Sequence, residues 1–476
     1  MADRPDPDVL LDAVRDAVMP WLSTLDDRPI RPELDAAQVL DRIPDRLPEA
    51  GSDPLEVVEE LRTIAEDGLI AMGSPRFHGW VIGGALPAAQ AADWMLTAWD
   101  QNSAMVEVTP VTVGLEWMAG RWLKELLDLP RDASVGFVTG GQMANFTCLA
   151  AGRQRVYDAV GVDLQAVGLQ GAPPLTVIVG EARHSTIGTA LRYLGIGEDQ
   201  VRITAIDSQD RMLPDAVDEA LEGVMGPVLV VAAAGSIHTG DVDPIGALAE
   251  VLDQRCADNR QRAWLHVDGA IGLWGRASQD PDLLSRLDGL ERADSWSTDG
   301  HKWLNTPYDC GIAITADRVA HERAMNIHAE YIPDGEAAHD SIAYAPEMSR
   351  RGRGVTVWAA LRQLGRSGVA ELVDSLRART REYAEQLGAL PGCEVLHEVV
   401  LNQLTVRFAD PADLDDDAHT QWLVKAVQDE GTCFPTPSTW GGGAVMRISV
   451  SNHRTTSEDV RRSVAAIAAL HATGRA

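Results

Sequence analysis

Short apolar segments alternate with helical patterns through residues 85–350, and this alternation limits the chain to a small set of folds. The strand-like segments are Ser134–Thr139, Leu175–Gly180, Val201–Ile206, Val228–Ala233, Ala263–Val267, Ser295–Thr298 and Gly311–Thr315. Helical spacing of apolar residues lies between most of them, at residues 87–103, 111–128, 142–160, 185–194, 214–223 and 244–258. Strands separated by helices predict an α/β fold with a mainly parallel central sheet that helices cover on both faces.

Polar side chains follow the ends of several of these strands. They are Thr139, His184, Ser236, Asp268 and Lys302. In open α/β sheets, ligands collect outside the carboxyl ends of the strands. The five positions therefore predict one ligand site at that edge of the sheet.

The regions on either side of the alternating pattern differ from it and from each other. Residues 1–84 carry helical patterns at 9–25 and 54–72, joined by a proline-rich stretch predicted to be extended. We expect this arm to lie on the main domain or on a second subunit. Residues 351–476 combine a long helical pattern at 354–387 with three strand candidates (394–396, 404–408 and 445–450) and a last helix from Ser457. The sequence thus predicts an N-terminal helical arm (1–84), a large domain (85–350) and a small C-terminal α/β domain (351–476).

Composition narrows the classes of protein to which the chain can belong. A formal net charge of −30 argues against a nucleic-acid partner, because such a surface needs a basic face. The one basic cluster, residues 350–353, is better explained as a solvated turn or a subunit contact. Five scattered cysteines without a C-x-x-C pair predict neither disulfides nor a metal site and fit a reducing cytoplasm. The acidic, proline-rich start resembles no secretory signal, and no apolar run is long enough to span a membrane.

Lys302 and Asp268 indicate a specific chemistry. A lysine near the end of a buried strand can form an imine with an aldehyde cofactor, and a nearby aspartate can keep a pyridine nitrogen protonated. Together they point to pyridoxal 5'-phosphate (PLP). Asp268 fits a structural salt bridge to an arginine as well, whereas a plain surface lysine is a poor explanation beside Trp296, Trp303 and Leu304.

Two further strand-to-helix turns fit the same cofactor. Gly140 and Gly141 let backbone N–H groups approach a ligand at a helix N-terminus, where a phosphate is favoured. Such glycine turns are common, so a purely structural turn remains the alternative. At the second turn, the His184 imidazole could stack on a pyridine ring and reach a substrate carboxylate, or could simply cap the following helix.

With these residues identified, the chain resembles the group II PLP-dependent decarboxylases, which include aromatic-L-amino-acid, histidine and glutamate decarboxylases. The motifs that carry the resemblance appear in the family's order: Ser74–Phe77, Thr139–Asn145, His184, His266–Ala270, His301–Trp303, Asp309–Cys310, Ser349–Arg351 with Trp358, and Met446–Ile448. The resemblance implies the aspartate aminotransferase fold (fold type I), PLP as cofactor and decarboxylation of an L-amino acid to an amine and carbon dioxide.

Residue roles are implied by the same resemblance. Lys302 would be the Schiff-base lysine, and Asp268 the partner of the pyridine nitrogen. His184 would stack on the ring and touch the substrate carboxylate, with Ala270 on the ring's other face. The remaining cofactor contacts would come from Gly140, Gly141, Gln142, Ser236 and His301. Tyr331 would protonate the substrate carbon after carbon dioxide leaves. A homodimer with shared active sites is expected, and no metal ion is expected.

Two departures from the family pattern bear on these roles. Asp299 stands where the family usually has asparagine. A carboxylate there would repel a phosphate unless it were protonated or turned away, so Asp299 is not counted among the residues that bind the phosphate. The segment Gly79–Gly84 also differs, so Trp80, Ile82 and Gly83 are only candidate substrate contacts, as is Arg447, which fits a structural role as well. The alternatives left open are an aminotransferase, an aldehyde synthase and a non-catalytic binding protein on the same scaffold.

Overall fold

The centre of the large domain is a seven-stranded sheet built from residues between 134 and 315. The computed structural model of the chain describes residues 6–325, 340–412 and 414–474. The strands of this sheet are β1 (Ser134–Val138), β2 (Thr176–Gly180), β3 (Val201–Thr204), β4 (Val228–Ala233), β5 (Ala263–Asp268), β6 (Ser295–Asp299) and β7 (Gly311–Thr315). Their order across the sheet is β1-β7-β6-β5-β4-β2-β3. Neighbours pair in parallel from β3 to β6, and only β7 runs antiparallel to its two neighbours. The predicted mainly parallel sheet is confirmed.

Both faces of the sheet are buried, as the apolar composition of its central strands requires. On β4, Val228 and Val230 belong to one apolar cluster, whereas Leu229 and Val231 belong to another. Successive side chains of a strand point to opposite faces, so each cluster lies on one side of the sheet. The helices of this region are α4 (Pro87–Trp99), α5 (Pro110–Leu126), α6 (Gly141–Ala159), α7 (Leu164–Val167), α8 (Ser185–Tyr193), α9 (Pro214–Ala220), α10 (Ile245–Arg255), α11 (Pro281–Arg286) and α12 (Arg318–Met325).

A second, antiparallel sheet follows a long connecting helix. This helix, α13 (Arg353–Gly388), breaks at Gly365, whose φ of 63° is not helical. The elements that follow α13 are β8 (Cys393–Val395), β9 (Gln403–Phe408), α14 (Asp416–Glu430), β10 (Thr436–Trp440), β11 (Gly443–Ser449) and α15 (Ser457–Thr473). The sheet has the order β10-β11-β9-β8, α13 and α14 pack on it, and α15 packs against these two helices. The two sheets fall within the predicted large and small domains, whose boundaries remain predictions.

The N-terminal arm consists of α1 (Pro7–Thr24), α2 (Ala36–Arg42) and α3 (Pro54–Ala65). The stretch predicted to be extended contains α2, which begins at a capping box formed by Asp35 and Gln38. None of the residues in these three helices is buried. Along the described ranges, no helix has both the length and the apolarity that a bilayer crossing demands.

Candidate active site

The carboxyl ends of the parallel strands surround a cavity of about 280 Å³. The cavity is lined by residues at the ends of five different strands: Gly140, His184, Ser236, Asp268 and Lys302. Gly141, Gln142, Ala270 and His301 also line this cavity. A larger cavity, of about 1080 Å³, lies at the opposite edge of the sheet, near Ser134 and Ala263, and contains none of these residues.

Asp268 ends β5 and is held as a hydrogen-bond acceptor. Its side chain is almost fully buried. Asn145 Nδ2 donates to Oδ2 at 3.1 Å, and the backbone N–H of Ala270 donates to Oδ1 at 3.2 Å. Donors of this kind favour the ionised form of a buried carboxylate. Among the described residues no arginine or lysine pairs with it, so the alternative of a structural salt bridge does not apply.

The hydrogen bonds behind Asp268 have a defined direction. Because Asn145 Nδ2 donates to Asp268, the amide Oδ1 faces His266 Nε2 at 2.9 Å, so Nε2 carries the ring proton. Burial lowers the pKa of His266 to about 4, so the ring is neutral and Nδ1 accepts the Ser295 hydroxyl proton at 2.9 Å. Trp264 Nε1 in turn donates to Ser295 Oγ at 2.8 Å. These positioning residues were not predicted as site residues, because their apolar spacing indicates only strand and helix interior.

His184 both caps α8 and lines the cavity. The Thr186 backbone N–H donates to Nδ1 at 3.3 Å, and the Thr186 hydroxyl lies 2.7 Å from the same nitrogen. Nδ1 is therefore an acceptor, and the ring proton is on Nε2. Burial lowers the pKa of His184, and the nearby charge of Asp268 opposes this shift. The imidazole is thus neutral near pH 7 and has one N–H to offer a ligand.

Lys302 lies next to a buried carboxylate rather than in open water. Its Nζ is 3.1 Å from Asp299 Oδ2, while His301 Nε2 is 3.5 Å from Asp299 Oδ1. The Cys310 backbone N–H donates to His301 Nδ1 at 3.1 Å, and His301 stacks on Tyr308 with ring centres 4.2 Å apart. Burial lowers the pKa of His301. This histidine is therefore neutral, with Nε2–H as its donor.

The glycine turn between β1 and α6 is closely packed at Gly141 and against β7. A Cβ on Gly141 would lie 2.7 Å from Asp299 Oδ2, and one on Gly311, the first residue of β7, would lie 2.4 Å from the Gly140 backbone. The absence of side chains leaves backbone N–H groups at the start of a 19-residue helix facing the cavity. Such a cradle suits an anion.

The residues predicted to contact substrate lie outside the cavity lining that the described residues define. Trp80 is 56% exposed and packs against Phe77 and Phe434. Ile82 is buried in a small apolar cluster, and the Cα of Gly83 faces the Lys302 carbonyl oxygen. Arg447 lies on β11, close enough for its charge to lower the pKa of His184. Tyr331 lies outside the described residues.

Arg447 is half-buried and has no carboxylate partner among the described residues. Its Nη2 donates to Gln403 Oε1 at 3.3 Å, and its Nε is buried and has no hydrogen-bond partner there. Burial lowers the pKa of the guanidinium to about 10. A cation that is largely withdrawn from water and lacks an anionic partner is suited to an anionic ligand.

These residues fit PLP by their chemistry. Asp268 is a buried carboxylate with acceptor capacity left for a pyridine N–H, Lys302 is an amine at the same cavity, and the Gly140–Gly141 turn suits a phosphate. No group of three or more potential metal ligands occurs in the part of the chain that the structure describes.

Comparison with known proteins agrees with this chemistry. The model of the pyridoxal-dependent decarboxylase conserved domain matches residues 37–408. The chain is 26% identical to the aromatic-L-amino-acid decarboxylase of Bacillus atrophaeus, across 96% of this chain and 93% of that protein. It is 28% identical to the L-2,4-diaminobutyrate decarboxylase of Rhizobium meliloti, across 89% and 83%. The solved structure of Oryza sativa TDC with PLP and tryptamine superposes with a TM-score of 0.89 at 23% identity, across 99% of both chains.

The matched family, the aligned relatives and the cavity chemistry agree on cofactor and reaction class. The chain belongs to the family of pyridoxal-dependent decarboxylases, enzymes that use PLP to remove the carboxylate of an amino acid.

Proposed function

We propose that the cavity at the strand ends decarboxylates an L-amino acid, with Lys302, Asp268 and His184 as its catalytic residues. The single observation that carries this proposal is their convergence on one cavity from three different strands. Bound PLP supplies an electron sink for the electron pair that remains when carbon dioxide departs. The chain's own residues bind the cofactor, orient the carboxylate and move the protons.

Asp268 holds the ring-nitrogen end of the cofactor. The donors from Asn145 and Ala270 hold its carboxylate in place, and they leave lone pairs free for one further N–H. Because the site is buried, this ion pair is stronger than it would be in water. The phosphate end is held by Gly140, Gly141 and Gln142 with His301 Nε2–H, while Ser236 and Ala270 complete the cofactor contacts.

His184 sets the direction in which the substrate carboxylate leaves. The bond to the departing carboxylate must stand perpendicular to the conjugated ring, so a fixed donor has to hold the carboxylate there. His184 meets this need because the Thr186 N–H holds Nδ1 and leaves Nε2–H as the donor. A neutral donor also releases carbon dioxide more readily than a charged partner, which would stabilise the carboxylate.

An aromatic L-amino acid is the first candidate substrate, because the aromatic-L-amino-acid decarboxylase matches this chain almost end to end. Arg447 supports a second candidate, an amino acid with an acidic side chain, since its half-buried guanidinium has no described carboxylate partner. Trp80, Ile82 and Gly83 remain candidate substrate contacts. Of these, Gly83 is the most directly coupled to the site, through the Lys302 backbone.

Tyr331 is proposed to protonate the substrate carbon, which favours simple decarboxylation over aldehyde formation. An aldehyde synthase on the same scaffold is the alternative. Product analysis separates the two, because an amine with carbon dioxide supports the decarboxylase whereas aldehyde with ammonia and peroxide supports the synthase.

The chain is proposed to act as a cytoplasmic homodimer. On α4, Trp94, Met95 and Trp99 are 53%, 49% and 41% exposed, an apolar surface that a second copy would cover. The five cysteines are unpaired thiols, as a reducing compartment favours. Sedimentation of the active enzyme as a monomer would contradict the dimer.

A substrate screen with a matched pair of variants tests the proposal. Carbon dioxide release is measured for the protein amino acids in wild type, in Arg447→Gln and in Arg407→Gln, a control on the neighbouring strand β9. If the substrate is acidic, only Arg447→Gln raises KM, by at least about tenfold, because it removes a charged partner. If the substrate is aromatic, both variants keep a KM near wild type. Release of carbon dioxide from no amino acid would reject the proposed function.

A further inference from the structure

Lys302 lies in a turn rather than in a strand or a helix. Strand β6 ends at Asp299, and residues 300–304 form turns, so the lysine is outside the hydrogen-bond ladder of the sheet. Its amine stands at the end of a flexible four-carbon side chain and has to reach a defined point in the cavity. A reacting group on such a turn needs other contacts to hold its backbone in place.

Asn305, three residues further along the chain, supplies such contacts. It is fully buried, and its φ of 55° lies in the left-handed region, which asparagine adopts more readily than most residues. Its backbone N–H donates to the Lys302 carbonyl oxygen at 3.2 Å, and its side-chain Nδ2 donates to the same oxygen at 3.1 Å. Nδ2 also donates to the carbonyl oxygens of Trp303 and Ser451, both at 2.9 Å. One asparagine therefore holds the lysine carbonyl with two donors.

The orientation of the Asn305 amide follows from its neighbours. Three carbonyl oxygens, which can only accept, face one end, so that end is Nδ2. The His453 backbone N–H, which can only donate, faces the other end at 2.8 Å, so that end is Oδ1. His453 Nδ1 lies 3.0 Å from Oδ1 and therefore carries the ring proton. Burial lowers the pKa of His453 to about 4, so the ring is neutral and this arrangement holds near pH 7.

The same asparagine joins the lysine turn to two distant parts of the chain. Residues 451–453, which bond to its side chain, follow β11 in the predicted small domain. Its own carbonyl oxygen accepts the backbone N–H of Leu86, at the start of α4, at 2.7 Å. Gly83 lies against the turn so closely that a Cβ there would overlap the Lys302 carbonyl oxygen and lie 2.7 Å from Asn305 Nδ2. The lysine turn is thus fixed against both neighbouring segments through Asn305.

We propose that Asn305 is a positioning residue for Lys302, which holds the backbone of the lysine turn so that the amine reaches the cofactor aldehyde. Asn305 is not among the described residues that line the cavity, so it acts through the lysine. The inference rests on the proposed role of Lys302 as the residue that binds PLP covalently. Loss of the Asn305 side chain should therefore affect cofactor binding only when the lysine is present.

A double-mutant cycle tests this expectation. The dissociation constant of PLP is measured by tryptophan fluorescence for Asn305→Gly, alone and combined with Lys302→Ala. Glycine keeps the left-handed backbone and removes only the side chain. With Lys302 present, the substitution should weaken PLP binding at least about tenfold, because a misplaced reacting group can cost on the order of a hundredfold. In the Lys302→Ala background the change should be less than about twofold, as expected for independent sites.

The rate of covalent attachment gives a second readout. Borohydride reduces the bond between the Lys302 amine and the cofactor aldehyde carbon to a stable linkage, which mass spectrometry of the digested protein detects. At saturating PLP, Asn305→Gly should form this adduct at least about tenfold more slowly than wild type, because the cofactor is already bound and only the approach of the amine is impaired.

Asn452→Ala is the matched control. Asn452 is also a buried asparagine, but its Nδ2 donates to the carbonyl oxygens of Gly73 and Ser74, at 2.9 and 3.2 Å, and not to the lysine turn. Any effect of this substitution on PLP binding should be the same with and without Lys302, and the rate of adduct formation at saturating PLP should stay near wild type.

Asn305→Asp replaces the glycine variant if that variant does not fold. The carboxyl group has the same shape and keeps the acceptor for His453, but it has at most one hydrogen to offer the three carbonyl oxygens, so its effect should also depend on Lys302. Equal weakening of PLP binding with and without Lys302, or unchanged binding in both backgrounds, would overturn the inference. If Lys302→Ala neither weakens PLP binding nor removes the borohydride-trapped adduct, the proposed role of Lys302 fails instead.

Discussion

Replacing Asn145 by aspartate tests the directed hydrogen-bond chain behind Asp268. The new carboxylate keeps the acceptor for His266 Nε2–H and Ser297 Oγ–H. It also replaces the Nδ2 donor, 3.1 Å from Asp268 Oδ2, by a second negative oxygen. Two buried carboxylates this close cannot both ionise, so one of them is held protonated with its pKa raised by on the order of 3 units.

The size and sign of the effect follow from proton linkage. At 1.36 kcal/mol per unit, a shift of about 3 units lowers the free energy of unfolding by about 4 kcal/mol at neutral pH. The folded variant binds one proton more than the unfolded chain between about pH 4 and pH 7, so its stability falls as pH rises through that window. This loss is a large part of the roughly 5–15 kcal/mol that stabilises a typical domain.

Urea unfolding of the cofactor-free protein at pH 5, 6 and 7 measures the effect. Asn145→Leu is the matched control, because it removes the same hydrogen bonds without adding an ionisable group. It should cost about 2–5 kcal/mol by leaving buried polar groups unpaired, and this cost should change less across the three pH values than the cost of Asn145→Asp. If Asn145→Asp lost stability to the same extent at all three values, the amide would not face Asp268 as described.

Three further predictions follow from the described contacts. Gly141→Ala should weaken PLP binding at least about tenfold, because its Cβ would lie 2.7 Å from Asp299 Oδ2. Gly114→Ala is the control and should not weaken binding, because its Cβ would have no atom within 4 Å. Equal affinities of the two variants in a fluorescence titration would contradict the tight turn. Glu116→Gln should lower stability by about 3–5 kcal/mol, because it leaves the buried Arg350 guanidinium without its anion, and an unchanged melting temperature would refute this. Burial lowers the pKa of His78 and His321 to about 3 and that of His266 to about 4. The unfolded chain therefore binds more protons than the folded chain below pH 6.5, and the urea concentration at the unfolding midpoint should fall as the pH is lowered from 6.5 to 5. A larger fall between pH 8 and pH 6.5 would contradict these low pKa values.

The large sheet was predictable because its strands are continuous apolar runs. Val228–Ala233 and Gly311–Thr315 have the predicted bounds, and the mainly parallel arrangement is as expected. The small domain was less predictable. Strand β10 (Thr436–Trp440) carries a proline and alternates buried with exposed residues, so it shows no apolar run. This segment forms a strand because it pairs with β11, a contact that its composition does not predict.

The residues around the cavity separate into those that sequence motifs reveal and those that only packing reveals. Lys302, Asp268 and His184 follow strand ends, where a parallel sheet places its ligands. Asn145 and His266 fall within two of the motifs that carry the resemblance, but their roles depend on a contact between residues 121 positions apart in the chain. No local pattern predicts such a contact. The sequence flagged Asp299 as a departure, but its orphaned oxygen and its contact with Gly141 are properties of the folded chain.

Asp268 and Asp299 end neighbouring strands of one sheet, yet their surroundings differ. Asp268 receives two donors, the Ala270 backbone N–H and the Asn145 amide, whose Oδ1 is held by His266 and the Ser297 hydroxyl. Asp299 has one unsatisfied oxygen and lies beside the glycine turn, 3.1 Å from the Lys302 amine. A carboxylate attracts a protonated ring nitrogen but repels a phosphate. Asp268→Asn should therefore weaken PLP binding, whereas Asp299→Asn, which removes a negative charge beside the phosphate turn, should strengthen it; the same affinity in both variants would contradict the orientation of the cofactor.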